Sequence, residues 1–258
     1  MSQTERVVYA TQEKPLQKQI EALLKEAPKR EVAGVVHAAI VPDANLMSGG
    51  ATAAEVYRAL EGRRYDTIIL IAPSHTGAFE RITICSLDDY RTPLGTLKVH
   101  DKMRNELCDE DDDIFLDDTG HFHTDGIDVQ LPFLQTVLPP FDIVPIVMGA
   151  ETPELCKELG HAVGEVMYNR RTLVVACANV VEASKEALDE MRAALEALDV
   201  PRLTVLFNSE RVRMEGKGAV LVALIAALHR RANHAEIVRL QPPTDERPGF
   251  VGAVISRA

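Results

Sequence analysis

The chain has 258 residues, 46% of them hydrophobic, and a formal net charge of −11. That is enough apolar material to bury one large core, and an acidic balance without a long Lys/Arg run argues against nucleic acid as a partner. The four cysteines, Cys85, Cys108, Cys156 and Cys177, show no C-x-x-C spacing, which excludes a zinc knuckle and points to free thiols in a reducing compartment.

Leu16, Ile20, Leu23 and Leu24 share one face of a helix predicted over 16–27, which Pro28 ends. Val35 to Val41 reads as a strand with almost no polar residue, the pattern of a strand covered on both faces. Ser48 is the expected N-cap of a helix running to Leu60. Thr67 to Ala72 is a second buried strand, and Arg81 to Ser86 alternates like a strand with one exposed face. A helix is predicted over 98–108. The acidic stretch Asp109 to Asp113 lacks the glycine and ligand spacing of a calcium loop and reads as a solvated loop.

Helices are predicted over 127–138, 153–168, 183–198 and 218–231, and strands over 142–148, 172–177, 236–240 and 250–255. Leu203 to Phe207 is left open between strand and helix. The alternation predicts an α/β fold: a central, mostly parallel sheet with helices on both faces. No linker rich in Gly, Pro or Ser divides the chain, so one domain is expected over 1–258, with residues 1–30 as a lead-in carrying one amphipathic helix. The N-terminus leads into no apolar segment, and the longest apolar run, Ala219 to Leu228, is too short to span a bilayer. The expectation is a cytoplasmic protein with no membrane contact.

Two strand ends carry the chemistry. Val41-Pro42-Asp43-Ala44-Asn45 and Ala72-Pro73-Ser74-His75-Thr76-Gly77 each stop an apolar run at a proline and then present a titratable residue. Ligands of open α/β sheets bind beyond the carboxyl ends of the strands, so Asp43 and His75 are expected to face one crevice.

These segments, with Tyr90-Arg91-Thr92-Pro93-Leu94-Gly95, Asp128-Val129-Gln130-Leu131-Pro132-Phe133-Leu134-Gln135 and Ile143-Val144-Pro145-Ile146-Val147-Met148-Gly149, resemble in order the Memo-like family, protein B of the AmmeMemoRadiSam group. The resemblance implies a fold similar to that of the class III extradiol dioxygenases, which are non-haem iron enzymes. It also implies AMMECR1-like and radical-SAM proteins as partners; a homodimer is a further expectation. The family usually has Pro-His-Ala-Gly, with a metal-binding His, where this chain has Pro42-Asp43-Ala44-Asn45. It has Glu-His-Ser-Leu-Glu at Thr124-Asp125-Gly126-Ile127-Asp128, and Ser-Ser-Asp-Leu-Ser-His at Cys177-Ala178-Asn179-Val180-Val181-Glu182. A Cys-Gly element becomes Glu215-Gly216. Of the family's pocket ligands, His75 is the one clearly kept.

Two readings of these departures follow. In one, Asp43, His75 and Asp125, with Glu182 or Glu215, form an oxygen-rich site for Fe, Mn, Mg or Zn, and His121 or His123 completes a two-His-one-carboxylate set for redox or dioxygenase-like chemistry. In the other, the pocket has lost its metal and serves a ligand or a partner; Asn45, Ser74, Asp128 and Asn179 are then polar lining, and His75 caps a turn. Cys177, at the end of a buried strand near His75, is a candidate nucleophile or a small apolar filler. Ser74 is a poor partner for His75, because adjacent residues on an extended chain point to opposite faces.

Overall fold

The structure is a computed structural model that describes residues 9–77, 79–108, 113–121 and 125–258, with Asp125 described by its backbone alone. The chain begins with α1 (Glu13–Glu26), β1 (Val35–Val41), α2 (Leu46–Leu60), β2 (Thr67–Pro73), β3 (Ile82–Ile84), and a hairpin of β4 (Asp89–Thr92) and β5 (Gly95–Lys98). Next come α3 (Asp101–Cys108), β6 (Ile114–Leu116), α4 (Asp125–Val137), β7 (Asp142–Met148), α5 (Pro153–Val166), β8 (Thr172–Cys177) and β9 (Asn179–Ala183). The remainder is α6 (Lys185–Glu196), α7 (Val200–Asn208), β10 (Val212–Glu215), α8 (Lys217–His229), β11 (His234–Gln241) and β12 (Gly249–Arg257).

The long strands form the centre of one mixed sheet, in the order β10-β9-β12-β1-β8-β2-β7-β3-β6, with β11 paired on β12. The run β1-β8-β2-β7 is parallel. Strands β12, β9 and β10 extend one side antiparallel, and β3 joins β7 antiparallel on the other. The expected α/β class therefore holds, with the parallel pairing concentrated in the middle.

The central strands are apolar throughout because both of their faces are covered. Ile69 and Ile71 face a core shared with α3, α5, α6, α7 and α8, while Ile68, Leu70 and Ala72 face a second core under α1, α2 and α4. Leu16, Ile20 and Leu24 lie one helical turn apart on α1 and are all buried. The helix predicted from Ser48 begins earlier: Asn45 is the cap, and its side chain accepts the Ser48 N–H at 3.0 Å. Thr152 caps α5, with Pro153 at the first helical position where its missing N–H costs nothing.

Three other expectations change. The 81–86 strand shrinks to β3, buried on both faces, where Thr83 donates its hydroxyl to the Thr119 carbonyl at 2.8 Å. Lys98 ends β5, Val99 bridges to Ile143 and His100 donates its N–H to the Ile143 carbonyl, so the helix starts only at Asp101. The undecided 203–207 segment is helix α7, capped by Asp199, which accepts the Arg202 N–H at 2.9 Å. Of the acidic stretch, Asp109 to Asp112 lie outside the described residues.

Candidate functional site

Strands β1 and β2 both pair with β8, so their carboxyl ends flank the corner where β8 turns into β9. Val41 ends β1, and Asp43 follows one residue after Pro42. Its backbone is held at that corner from two directions. The Asp43 N–H is shared between the Ala178 carbonyl at 3.3 Å and Asn179 Oδ1 at 3.1 Å. In return, Asn179 Nδ2 donates to the Asp43 carbonyl. Both residues are buried, Asn179 4% exposed. A primary amide supplies one acceptor and one donor side by side, which is what a peptide N–H and C=O require.

The clamp fixes where the Asp43 side chain goes. Oδ2 lies 2.8 Å from His75 Nε2. The Asp43 side chain has no solvent exposure, whereas that of His75 is 22% exposed. The second carboxylate oxygen, Oδ1, is buried without a hydrogen-bond partner among the described residues. It lies against Gly126 in the first turn of α4, so closely that a Cβ at that position would overlap it. Oδ1 therefore sits beside the first turn of α4, the end of a helix where its dipole favours negative charge. The arrangement is layered: a closed amide clamp, a closed carboxylate, then an imidazole that reaches the surface of a cavity.

That cavity has a volume of about 550 Å³, and its walls include Asp43, Asn45, Met47, Ser48, His75, Asn179, Glu215 and Arg247. The volume is in the range of small-molecule sites. The expected meeting of Asp43, His75, Asn45, Asn179 and Glu215 is thus what the structure brings together.

The other predicted residues go elsewhere. Ser74 folds back on its own turn, donating Oγ to the Gly77 carbonyl at 3.0 Å. Asp128 accepts the Tyr90 hydroxyl at 2.6 Å and lines a separate cavity with Cys85, Asp118 and His121. His121 is buried there, with Nε2 3.2 Å from the Thr83 carbonyl, and burial lowers its pKa. Glu182 pairs with Arg213 at 3.0 Å on the β9–β10 face, in the chamber adjoining the His75 cavity. Cys177 is fully buried under Asp43, where burial first and the Asp43 charge second push its thiol well above its ordinary value. It is a filler of the core, not an activated nucleophile. His123 and the side chain of Asp125 lie outside what is described.

Two residues were not anticipated. Arg247 reaches the cavity from the β11–β12 hairpin tip, closed by the Thr244 N–H on the Arg247 carbonyl at 2.9 Å. Glu151, on the β7–α5 connection, accepts the Gly218 N–H at 3.0 Å. Helix α8 has Gly216 at its N-cap, which carries no capping side chain, and Glu151 takes that role from across the fold. Burial pushes the Glu151 carboxyl up to about 7; the Gly218 bond and the Lys217 charge pull it back, and the Asp43 charge adds to the rise. The sequence signal was available in part: a helix that opens on Gly216-Lys217 needs an acceptor from elsewhere.

A metal is implied by the family resemblance, and the donor set can be compared with what a metal needs. Among the described residues no three His, Cys, Asp or Glu side chains are grouped to hold an ion. Asp43 and His75 supply two donors, Asn179 has both amide atoms engaged by the Asp43 backbone, and the Cys177 thiol is closed off. A divalent first-row centre takes three or more protein ligands, so the described residues do not fit one. Among the described residues, no helix is long and apolar enough to cross a membrane.

A family model described as Memo-like protein matches residues 6–247. A MEMO1 family protein of Saccharolobus solfataricus is 31% identical over 230 residues, covering 83% of this chain and 81% of the relative. Another, from Nitrosopumilus maritimus, is 26% identical over 209 residues, covering 79% and 76%. Among solved structures, an uncharacterized protein from Escherichia coli K12 superimposes with a TM-score of 0.59 at 13% identity, over 85% of this chain and 99% of that one. At that identity the likeness concerns the fold alone.

Proposed function

The chain belongs to the Memo-like protein family, and from that premise we propose that it is a binding protein for a small ligand taken into the carboxyl-end cavity, with His75 as the group that meets it. The observation that carries this reading is the one-sided Asp43–His75 pair. The carboxylate is enclosed and directed at the ring, so it orients the imidazole, which is the partly exposed side chain of the pair in the cavity wall. A carboxylate serving a metal would instead present its oxygens to the ion alongside further donors.

Metal analysis of protein purified without oxygen or chelator tests this. The expected result is substoichiometric Fe, Mn and Zn, unchanged between wild type, Asp43→Ala and His75→Ala. Stoichiometric metal that disappears in both variants would overturn the reading in favour of a metal-dependent oxidoreductase built on the same residues.

A further inference from the structure

Positive charge gathers at the other end of the sheet. Strand β1 runs from Val35 to Val41, so its first residue lies about 20 Å from the Asp43 corner. Val35 pairs there with Arg257, near the end of β12. Between Val36 and Ala38 the β1–β12 register slips by one residue, a bulge at His37, and a bulge turns a side chain out of the regular alternation. Helix α8 finishes at the same place: Arg230 is its C-cap, Arg231 follows with a φ of 62°, and the Asn233 N–H bonds the Ser256 carbonyl at 3.0 Å. Burial first, then the charges of Arg230 and Arg257, lower the His37 pKa, so both guanidiniums stand near the imidazole. The Arg230 guanidinium also lies over the Tyr168 ring, 5.0 Å from its centre.

Neighbouring arginines are neutralised within the fold. Arg170 pairs with Glu106 and Arg171 with Asp66, and Arg63 donates to the Val32 and Gly34 carbonyls. Arg230, Arg231 and Arg257 have no carboxylate partner among the described residues. The C-termini of α5 and α8 close on this face, but a helix end supplies only about half a negative charge. Together they offset about one of the three cations. In a chain of net charge −11 the remainder is a local excess, not a share of a basic surface. Like charges held this close repel one another, and an anion set among them relieves that cost. Apolar surface adjoins the cluster: Tyr168 is 65% exposed, Val35 57%, and Leu228, whose carbonyl accepts the Arg231 N–H, 39%.

The number of cations sets the kind of partner. Binding along a nucleic acid backbone rests on about 6–10 neutralised phosphates. Adhesion to an anionic membrane takes a cluster of about 4–8 basic residues. Three guanidiniums fall short of both, and the field of the acidic chain opposes both. A short acidic segment needs only a few carboxylates within a Debye length, about 8 Å. Apolar side chains between its acids match Val35, Tyr168 and Leu228, and tyrosine and arginine are the residue types that anchor protein interfaces.

We propose that this face, with Arg230 at its centre and Arg231, Arg257, His37 and Tyr168 around it, docks an acidic segment of a partner protein, carboxylates on the guanidiniums and an apolar side chain against Tyr168 and Val35. It is independent of the His75 cavity, which lies at the opposite ends of the strands.

Fluorescence anisotropy of the labelled peptide Asp-Glu-Leu-Asp-Glu-Phe-Asp-Glu with the full chain tests this, together with nuclear magnetic resonance of the His37 and Tyr168 rings. The peptide is expected to bind saturably at one site, more weakly as salt rises, and to shift both rings. Oligo-glutamate, a DNA duplex and phosphatidylserine vesicles should each bind more weakly. Arg230→Gln, Arg231→Gln and Arg257→Gln should each weaken the peptide by about two- to fivefold, the usual effect of one exposed charge contact. Arg91→Gln, on the separate β4–β5 hairpin, removes the same charge and should leave binding unchanged. Equal weakening by Arg91→Gln and Arg230→Gln would reduce the effect to net charge and overturn the proposal. Duplex or vesicle binding that is tighter than the peptide's and is lost in Arg230→Gln would reassign the face to nucleic acid or lipid. Absence of saturable peptide binding, or binding that leaves His37 and Tyr168 unmoved, would remove the docking surface altogether.

Discussion

His75 Nε2 lies 2.8 Å from Asp43 Oδ2, yet of the two side chains only that of the histidine touches solvent. The asymmetry follows from chain geometry. Asp43 sits one residue beyond Pro42, and its backbone is tied into the β8–β9 corner, so its side chain points under the ring of His75 and not out to the cavity. The pair is therefore an orienting carboxylate and a presented imidazole, and the groups that fix the carboxylate are as important as the pair itself.

Asn179 is the first of those groups. Asn179→Ala removes both side-chain bonds to the Asp43 backbone and leaves a buried carbonyl without a donor. The expected loss is about 2–3 kcal/mol in urea unfolding, the cost of a buried polar group left unpaired. Asn179→Asp keeps the acceptor for the Asp43 N–H but places an anion against the Asp43 carbonyl and next to its carboxylate, so it should be at least as destabilising at pH 7 and recover part of the loss on acidification. An Asn179→Asp variant as stable as wild type at pH 7 would show that the amide donor contributes nothing.

Gly126 is the second. Any Cβ there overlaps Asp43 Oδ1 and approaches Cys177 Cβ to 3.3 Å. In an exposed helix Gly→Ala is stabilising by up to about 1 kcal/mol. Here Gly126→Ala should destabilise by about 1–3 kcal/mol, because the clash is with a fixed side chain in a closed layer. In the background Asp43→Ala the same substitution should be close to neutral, and the non-additivity of the two, read from a double-mutant cycle, measures their contact.

The degree to which the sequence anticipates this structure depends on how local each signal is. Val35–Val41, Thr67–Pro73 and Thr172–Cys177 are legible because strands covered on both faces must be apolar at every position. Strands β9 and β10 are not, since they are short, carry Glu182, Arg213 and Glu215, and owe their pairing to partners distant in sequence. The prolines after two buried strands suffice to place Asp43 and His75 together. The entry of Arg247 depends on how far the β11–β12 hairpin extends, and that of Glu151 on which loop packs against the bare N-terminus of α8. Asp128 illustrates the reverse error: its place in a matching motif suggested the His75 cavity, but the angular position of Asp128 on α4 turns it to Tyr90 instead.

The cysteines give a prediction that separates core from site. Cys177, Cys156 and Cys85 are buried, and burial pushes Cys156 up to about 12 and Cys85 to about 11, with Cys177 also well above its ordinary value. Cys108 is partly exposed at the end of α3. A thiol reagent at pH 7.5 should therefore modify Cys108 first under native conditions and reach the other three only as the chain opens. Rapid native modification of Cys177, read by mass spectrometry, would mean that the closed layer beneath Asp43 opens readily and would restore Cys177 as a candidate nucleophile.

Glu151 makes stability depend on pH in a direction opposite to that of an ordinary ion-paired carboxylate. Its carboxyl titrates at about 7 in the fold against an ordinary 4.5. Between those values the folded state keeps a proton that the unfolded chain has released, so stability from this group falls as pH rises through that window and is level above it. The effect is on the order of 1–3 kcal/mol once solvent at a partly buried group is allowed for. Glu151→Gln keeps an acceptor for the Gly218 N–H while removing the charge that desolvation and Asp43 disfavour. Its stability should match wild type near pH 4.5 and exceed it at pH 8, with the difference growing between the two. Denaturant unfolding of both proteins across that range is the measurement, and a constant difference would show that Glu151 titrates in the fold as it does in the unfolded chain.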